Sequence, residues 1–199
     1  MRLLIINPPG RNVTGAIRSL AKSGYDIDIS IAYPKTPNSI DKKYHSKHIK
    51  RTYFIPHPVT HFTRFKKASL DIITKGQYDF VLPFGFETTV GLSQFKKEIE
   101  RIGAIIPIPD IKTVLKIHDK EVCNTIARKT GLAIPHMYTY TTKKDLLRKK
   151  IKYPVIVKGR RNSGISKGLH IVHNKEELAD AYDDLEKLGK KTFIQDFSH

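Results

Sequence analysis

Short apolar runs alternate with segments of helical periodicity over the first half of the chain, and this alternation constrains the fold more than any other feature. Runs typical of buried strands lie at residues 3–6, 27–32, 52–55, 79–82 and 104–106. Segments with apolar residues at helical spacing separate them, at 13–22, 65–73 and 88–102. Because parallel strands must be joined by crossovers, this rhythm predicts a parallel sheet with helices on both faces.

The rhythm changes after Pro107 and Pro109. Two helices are predicted at 111–117 and 120–129, and a helix capped by Thr141 or Thr142 follows a short strand at 137–140. Asn174 is the expected N-cap of a later helix. That helix spans 176–188, and strands are predicted at 155–158, 169–172 and 192–195. We therefore expect two units, 1–112 and 113–199.

Composition narrows the class of partner. The chain has 199 residues with 36 Lys and Arg against 19 Asp and Glu, a formal net charge of +17. This charge favours nucleotide phosphates, nucleic acid or acidic metabolites, without choosing among them. Cys123 is the one cysteine, so a disulfide framework is excluded, and its place in a helical pattern predicts a core residue. With no membrane-length apolar run and no signal peptide, we expect a cytoplasmic protein without membrane partners.

The turn after the first strand is a candidate ligand site. Nucleotide-binding folds place a phosphate loop there, but the three-glycine pattern is absent and Pro8 and Pro9 lack N–H donors. The turn that contains Gly10 is either a purely structural turn or a place for a small substrate at the strand ends. Glu87 follows the fourth strand at the same end of the sheet. It either holds a substrate amine or stabilises the helix that it begins.

The strongest signal in the second unit is a lysine at the end of a short apolar strand. Lys158 follows Val155-Ile156-Val157 and can direct an ammonium group toward an anion. A segment rich in small and basic residues comes next, from Arg160 to Gly168. Small residues allow the backbone to approach a ligand, and the cations attract phosphate. The pairing of this loop with Lys158 indicates a phosphate site more strongly than either feature alone.

The order of these pieces resembles the ATP-grasp superfamily. The matching pieces are Asp119-Lys120, Gly131-Leu132-Ala133-Ile134-Pro135, Tyr153-Pro154-Val155-Ile156-Val157-Lys158, the loop at 163–168, Asn174-Lys175-Glu176-Glu177-Leu178 and Ile194-Gln195-Asp196-Phe197. The first unit resembles the Rossmann-like domain that precedes ATP-grasp domains, as in carbamoyl-phosphate synthase and the carboxylate–amine ligases. The resemblance implies an α/β fold with this parallel-sheet domain first and an α+β ATP-grasp subdomain after it.

The resemblance also implies roles for particular residues. Lys120 and Lys158 match the two lysines that contact ATP phosphates. The glycine-rich loop closes over the phosphates, with Ser163, Gly164, Ser166, Lys167 and Gly168 as its binding residues. Gln195, Asp196 and Phe197 match the segment that lines the adenine pocket. The implied chemistry is activation of a small carboxylate as an acyl phosphate, attacked by an amine or similar nucleophile, with Mg²⁺ neutralising the phosphates.

The chain departs from the family after the adenine strand. The second grasp subdomain of the family follows that strand and supplies the magnesium ligands and the catalytic arginine, whereas this sequence stops at His199. We therefore expect an N-terminal half-site that binds ATP and is inactive alone, with no catalytic or metal residue assigned and its magnesium ligands beyond residue 199. The expected assembly is a homodimer or an association with the C-terminal half.

A non-catalytic basic binding module that retains the fold is the alternative. Residues 143–167 carry ten Lys and Arg against Asp145 alone, a pattern that also fits a nucleic-acid footprint. No aromatic platforms are interleaved there, and the chain has no Trp, so nucleic acid is the less favoured partner. His57 and His61 have helical metal spacing, but Pro58 lies between them and no third ligand is near, so no metal is assigned.

Overall fold

The computed structural model describes residues 1–7, 11–33, 46–161 and 168–198. The chain divides into two compact units, Met1–Val114 and Leu115–His199. No helix in the described ranges is both long enough and apolar enough to cross a bilayer. Five residues of the expected sites lie outside these ranges, namely Gly10, Ser163, Gly164, Ser166 and Lys167.

A four-stranded parallel sheet forms the centre of the first unit, which confirms the predicted fold class. Its strands are β1 (Arg2–Asn7), β2 (Asp26–Tyr33), β3 (Ile49–Pro56) and β4 (Phe80–Pro83), in the order β3-β2-β1-β4. The helices are α1 (Arg11–Lys22), α2 (Phe62–Gly76), α3 (Phe86–Ser93) and α4 (Lys96–Arg101).

The strand β1 shows how apolar residues build a core on each face of this sheet. Its side chains alternate between two clusters, since successive residues of a strand point to opposite faces. Leu3 and Ile5 pack in a cluster with Val13 and Ile17 of α1. Leu4 and Ile6 belong to the other cluster, together with Phe65, Ile73, Leu92 and Ile99 from α2, α3 and α4. A strand covered on both faces accounts for the continuous apolar run in the sequence.

Two predicted elements of this unit differ in the structure. The helix predicted at 88–102 is two helices, because Phe95 leaves the helical conformation and buries its ring edge-on against Phe62 and Phe65. The strand predicted at 104–106 is reduced to a single parallel bridge between Phe80 and Ile105. Pro107 follows and has no N–H for a longer ladder.

The second unit is an α+β arrangement around an antiparallel sheet. The helix α5 (Ile111–His118) contains the point of division, and α6 (Lys120–Lys129) and α7 (Lys143–Arg148) follow it. The strands are β5 (Val155–Gly159), β6 (Leu169–Val172) and β7 (Thr192–Asp196), in the order β6-β5-β7, with α8 (Lys175–Lys187) between the last two in sequence.

The helix α8 covers one face of this sheet, and the other face is covered only in part. Val155, Val157, Val172 and Ile194 are buried in a cluster with Leu178, Ala181 and Leu185 of α8. Register places Ile156, Lys158, Leu169, Ile171, Phe193 and Gln195 on the opposite face. We call this the open face. Leu169 is 51% exposed and Ile171 is 46% exposed, so apolar surface remains uncovered there.

The second unit also differs from expectation at two places. The strand predicted at 137–140 is a single antiparallel bridge between Met137 and Gln195. Beyond this bridge, the Thr192 carbonyl accepts from the Tyr140 hydroxyl at 2.7 Å. Cys123 is exposed rather than in the core, since α6 carries no buried side chain.

Candidate functional site

Asp119 connects the start of α6 to the residues that follow β5. Its carboxylate caps α6 by accepting from the Val122 N–H at 3.3 Å. The same carboxylate accepts from Arg160 Nε at 2.7 Å and from Arg161 Nε at 2.9 Å. With 1% of its side chain exposed, Asp119 is a buried anion that both arginines neutralise.

The charge of Asp119 is fixed by these hydrogen bonds. Burial alone would raise the pKa of the carboxyl group. The hydrogen bonds from Arg160, Val122 and Arg161 outweigh burial and lower the pKa of Asp119 to about 2. Asp119 is therefore ionised at neutral pH, and it orients the two arginines that precede the glycine-rich loop.

Lys120 is held against the end of β5 by its backbone and by its side chain. Its N–H donates to the Arg160 carbonyl at 3.2 Å, and its Nζ donates to the Gly159 carbonyl at 2.9 Å. Burial lowers the pKa of Lys120, Asp119 raises it, and the charge of Lys190 lowers it further. This ammonium group is partly desolvated and has another ammonium group nearby.

Lys158 projects from the open face one residue before the end of β5. Its Nζ lies 5.3 Å from the centroid of the Phe193 ring, and no ion pair to it is present within the described ranges. Burial lowers the pKa of Lys158, and the charge of Lys120 lowers it further. Two half-buried ammonium groups therefore repel each other at one end of the sheet.

Gly168 brings the chain back to the sheet in a conformation that favours glycine. Its φ is +106°, and a Cβ there would lie 2.8 Å from Leu185 Cδ2 and 3.3 Å from Lys190 Nζ. Its carbonyl accepts from the Gly159 N–H at 3.4 Å. Gly168 therefore packs the end of the glycine-rich segment closely against α8 and the turn that follows it.

The expected adenine segment lies at the other end of β7. Gln195 is on the open face beside Ile156. Asp196 accepts from the Tyr138 hydroxyl at 2.7 Å, and that hydroxyl accepts from the Lys152 N–H at 3.1 Å. The Phe197 N–H donates to the Pro154 carbonyl at 3.3 Å. The Asp196 side chain is thus committed within the unit, whereas Gln195 shares a face with Lys158.

The structure adds contacts and residues that the sequence did not indicate. Asp119 is an anchor as well as a motif residue, and Phe193 lies beneath Lys158. Lys190 lines a cavity of about 480 Å³ beside Arg160 and Arg161. The Gly189-Lys190-Lys191 turn was the available sequence signal, but only the fold places it beside residues that are distant in sequence.

The basic segment at 143–167 is less positive in the fold than in the sequence. Acids from elsewhere pair with three of its cations. Lys143 binds Asp183, Arg160 binds Glu121 as well as Asp119, and Arg161 binds Asp119. These pairs weaken the case for a nucleic-acid footprint, which requires cations available to phosphates.

In the first unit, Glu87 lies in the first turn of α3 with half of its side chain exposed. Its Oε2 is 2.9 Å from His57 Nε2. Since His57 Nδ1 accepts from the Val59 N–H at 3.4 Å, the ring proton belongs on Nε2 and is donated to Glu87. Within the described ranges, no group of three His, Cys, Asp or Glu side chains could hold a metal ion.

The chain has the fold of the N-terminal portion of ATP-grasp ligase structures. An alignment with an L-amino acid ligase from Bacillus licheniformis includes 99% of this chain, with a TM-score of 0.69 and 15% identity. A biotin carboxylase from Campylobacter jejuni, crystallised as a complex with beta-gamma-ATP, gives a TM-score of 0.67 at 16% identity over 99% of this chain. An N5-carboxyaminoimidazole ribonucleotide synthetase bound to ADP gives 0.67 at 12% identity over 99% of this chain.

One curated protein is similar to part of the chain in sequence. A Streptomyces coelicolor protein provisionally named D-alanine–D-lactate ligase is 28% identical over 130 residues, which is 62% of this chain and 37% of the relative. No protein-family model matches the chain. The chain spans 44%, 45% and 47% of the three solved chains, so it is less than half the length of the proteins that it resembles.

Proposed function

We propose that this chain is the ATP-binding N-terminal part of a ligase that activates a small carboxylate as an acyl phosphate. An amine or a similar nucleophile then attacks the acyl phosphate. The phosphate ligands are Lys120, Lys158 and the loop that includes Ser163, Gly164, Ser166, Lys167 and Gly168. Gln195, Asp196 and Phe197 line the adenine pocket. We propose ATP binding for the chain itself, and ligase activity only for a protein that also supplies magnesium ligands, which the described residues do not provide.

One observation carries the proposal: two ammonium groups converge where the described residues offer Lys158 no acid. Burial lowers the pKa of Lys158 and the charge of Lys120 lowers it further, so the Lys158 charge is unfavourable without an anion nearby. At an effective dielectric of about 20, a phosphate about 4 Å from a lysine contributes a Coulomb energy of about 4 kcal/mol before desolvation is subtracted. A polyphosphate satisfies both cations at once.

The rest of the open face suits the other end of a nucleotide. Ile156 and Ile171 offer apolar surface for a base, and Gln195 offers an amide that can bind one. Magnesium does not fit the described residues in the same way, because they contain no cluster of acidic or other ligands for it. The chain's own contribution is therefore to bind and orient the nucleotide.

The first unit is the proposed place for the second substrate. Glu87 keeps about half of its side chain exposed while His57 holds one of its oxygens, so the other oxygen can accept from an amine. Gly10 follows β1 closely in the sequence, and we propose it as a second residue of this site. Open parallel sheets bind their ligands at the carboxyl ends of their strands.

Calorimetric titration with a non-hydrolysable ATP analogue tests the nucleotide site. We expect Lys158→Ala to weaken binding by about 1.5–3 kcal/mol, the contribution of a hydrogen bond to a charged group. Folding should change little, because Lys158 loses only its contact with the Phe193 ring, worth about 0.5–1 kcal/mol. Lys175→Ala, at an exposed position on α8, is the matched control.

Two outcomes would contradict the proposal. Unchanged affinity in Lys158→Ala with a large loss of melting temperature would make Lys158 a structural residue. Tight, salt-sensitive binding of oligonucleotides without any binding of ATP would favour the non-catalytic basic module instead.

A further inference from the structure

The turn between α8 and β7 carries a lysine that is fixed and partly buried. The Lys190 N–H donates to the Leu185 carbonyl at 2.9 Å, and the Gly189 N–H donates to the Glu186 carbonyl at 2.8 Å. Gly189 has a φ of +66°. Lys190 is partly buried whereas Lys187 and Lys191 are exposed. The turn therefore positions Lys190 differently from its neighbouring lysines.

The side chain of Lys190 reaches the end of the sheet at which β5 ends and β6 begins. Its Nζ lies 3.3 Å from the position that a Cβ on Gly168 would occupy. Its charge is also close enough to Lys120 to lower the pKa of that residue. Three lysines from α6, β5 and the α8–β7 turn thus surround one end of the sheet.

A cavity of about 480 Å³ adjoins this lysine. Its lining comprises Asp119, Arg160, Arg161, Leu188, Gly189, Lys190 and Lys191. The lining carries four basic residues and one carboxylate, that of Asp119, which binds both arginines. Arg161 is anchored through Nε alone and keeps 69% of its side chain exposed, so its two terminal nitrogens remain available to a ligand.

We infer that this cavity binds a phosphate group, with Lys190 and Arg161 as ligands that extend the Lys120–Lys158 pair toward the terminal phosphate of the nucleotide. The size of the cavity accommodates a phosphate with its water, and the fork of Arg161 matches the geometry of phosphate oxygens. The inference rests on the proposed function for the identity of the nucleotide. The cavity itself is defined by residues of this chain alone.

Titration with a non-hydrolysable ATP analogue, ADP and inorganic tripolyphosphate at fixed ionic strength tests the inference. We expect Lys190→Gln and Arg161→Gln each to weaken the ATP analogue and tripolyphosphate about tenfold, as for the loss of one charged contact, and ADP by less. Lys190→Arg should restore most of the affinity because it keeps the charge. Lys187→Gln, three residues earlier on the exposed side of α8, is the matched control.

The outcomes separate this inference from the proposed function. If Lys158→Ala weakens the ATP analogue while Lys190→Gln behaves as Lys187→Gln does, the cavity is not a phosphate site and the inference fails alone. If the wild-type chain binds tripolyphosphate through Lys190 but no nucleotide, the proposed function fails and the anion cavity stands. Equal losses for ATP analogue and ADP would place Lys190 away from the terminal phosphate and overturn the assignment.

Discussion

Asp119 holds the first turn of α6 and two arginines through a single carboxylate. A group of this kind stabilises the fold only in its ionised form. Its pKa of about 2 in the folded chain is lower than the ordinary value of 3.8, so ionisation favours folding. The stabilisation is complete above about pH 4 and is lost as the pH falls toward 2.

Replacing this carboxylate should therefore act in a pH-dependent way. Asp119→Asn keeps an N-cap but removes the charge, and we expect a loss on the order of 2 kcal/mol at pH 7 in the stability of the second unit. Hydrogen exchange of amides in α6 and β5 measures it locally. The difference between variant and wild type should shrink below about pH 4.

Asp184→Asn, at an exposed position of α8, is the control. A pH-independent loss of protection in Asp119→Asn would show that the amide disrupts packing rather than charge.

The sequence indicates candidate site residues where the signal lies in the neighbouring residues of the chain. Lys158 stands at the end of an apolar strand, so its neighbours in sequence predict a role beside an anion, whereas Lys120 is assigned through the resemblance to ATP-grasp proteins; both roles stay predictions. The partnership of Asp119 with Arg161 joins residues 42 positions apart. Likewise, Lys190 lies close to Gly168 because β5, α8 and β7 pack together. Such contacts depend on tertiary structure and leave no local pattern.

At the scale of elements, α8 is the helix that covers one face of the antiparallel sheet in the second unit. Its N-terminus is a reciprocal cap, in which Asn174 Oδ1 accepts from the Glu177 N–H at 2.8 Å and Asn174 Nδ2 donates to Glu177 Oε1 at 2.7 Å. Glu177 Oε2 accepts from the His173 N–H at 2.8 Å. Three polar groups at the helix start are thus satisfied together.

We expect Asn174→Ala to lower the free energy of unfolding of the second unit by about 1 kcal/mol. Asn174→Ser should lose less, since its hydroxyl can accept from the Glu177 N–H and it places no second negative charge beside the Glu177 carboxylate. Urea denaturation followed by circular dichroism compares the three proteins. Equal stability of all three would mean that packing of Leu178 and Leu185, and not the cap, sets the start of α8.

Elements with a complete periodic pattern were predicted well, and α8 with its Asn174 cap is an example. The predicted strands at 104–106 and 137–140 proved to be single bridges, at Ile105 and Met137. Their apolar residues look like strand residues, but the length of a strand depends on how many partners the neighbouring chain offers. Pro107 has no N–H for a further ladder bond after Ile105, and beyond Met137 the Thr192 carbonyl accepts from the Tyr140 hydroxyl.

At the scale of the whole molecule, we expect ATP binding without ATP turnover. We expect the 199-residue chain to bind ATP and to release no ADP with any amino acid or other small carboxylate in the presence of Mg²⁺. The physical reason is that the described residues contain no group of side chains able to hold the metal. A coupled assay for ADP, run beside the calorimetric titration, measures both properties.

Carboxylate-dependent release of ADP that Lys158→Ala abolishes would contradict this expectation. It would assign a complete reaction centre to the chain. Release that Lys158→Ala leaves unchanged would identify a contaminating enzyme instead.

The open face of the second unit has a consequence for colloidal behaviour. Leu169 and Ile171 leave apolar sheet surface in contact with water, while a net charge of +17 keeps copies of the chain apart. At about 1 M salt the Debye length falls to about 3 Å, and that repulsion is screened. Purification and storage at low ionic strength should therefore keep the chain dispersed, whereas salting-out conditions should bring its apolar sheets together.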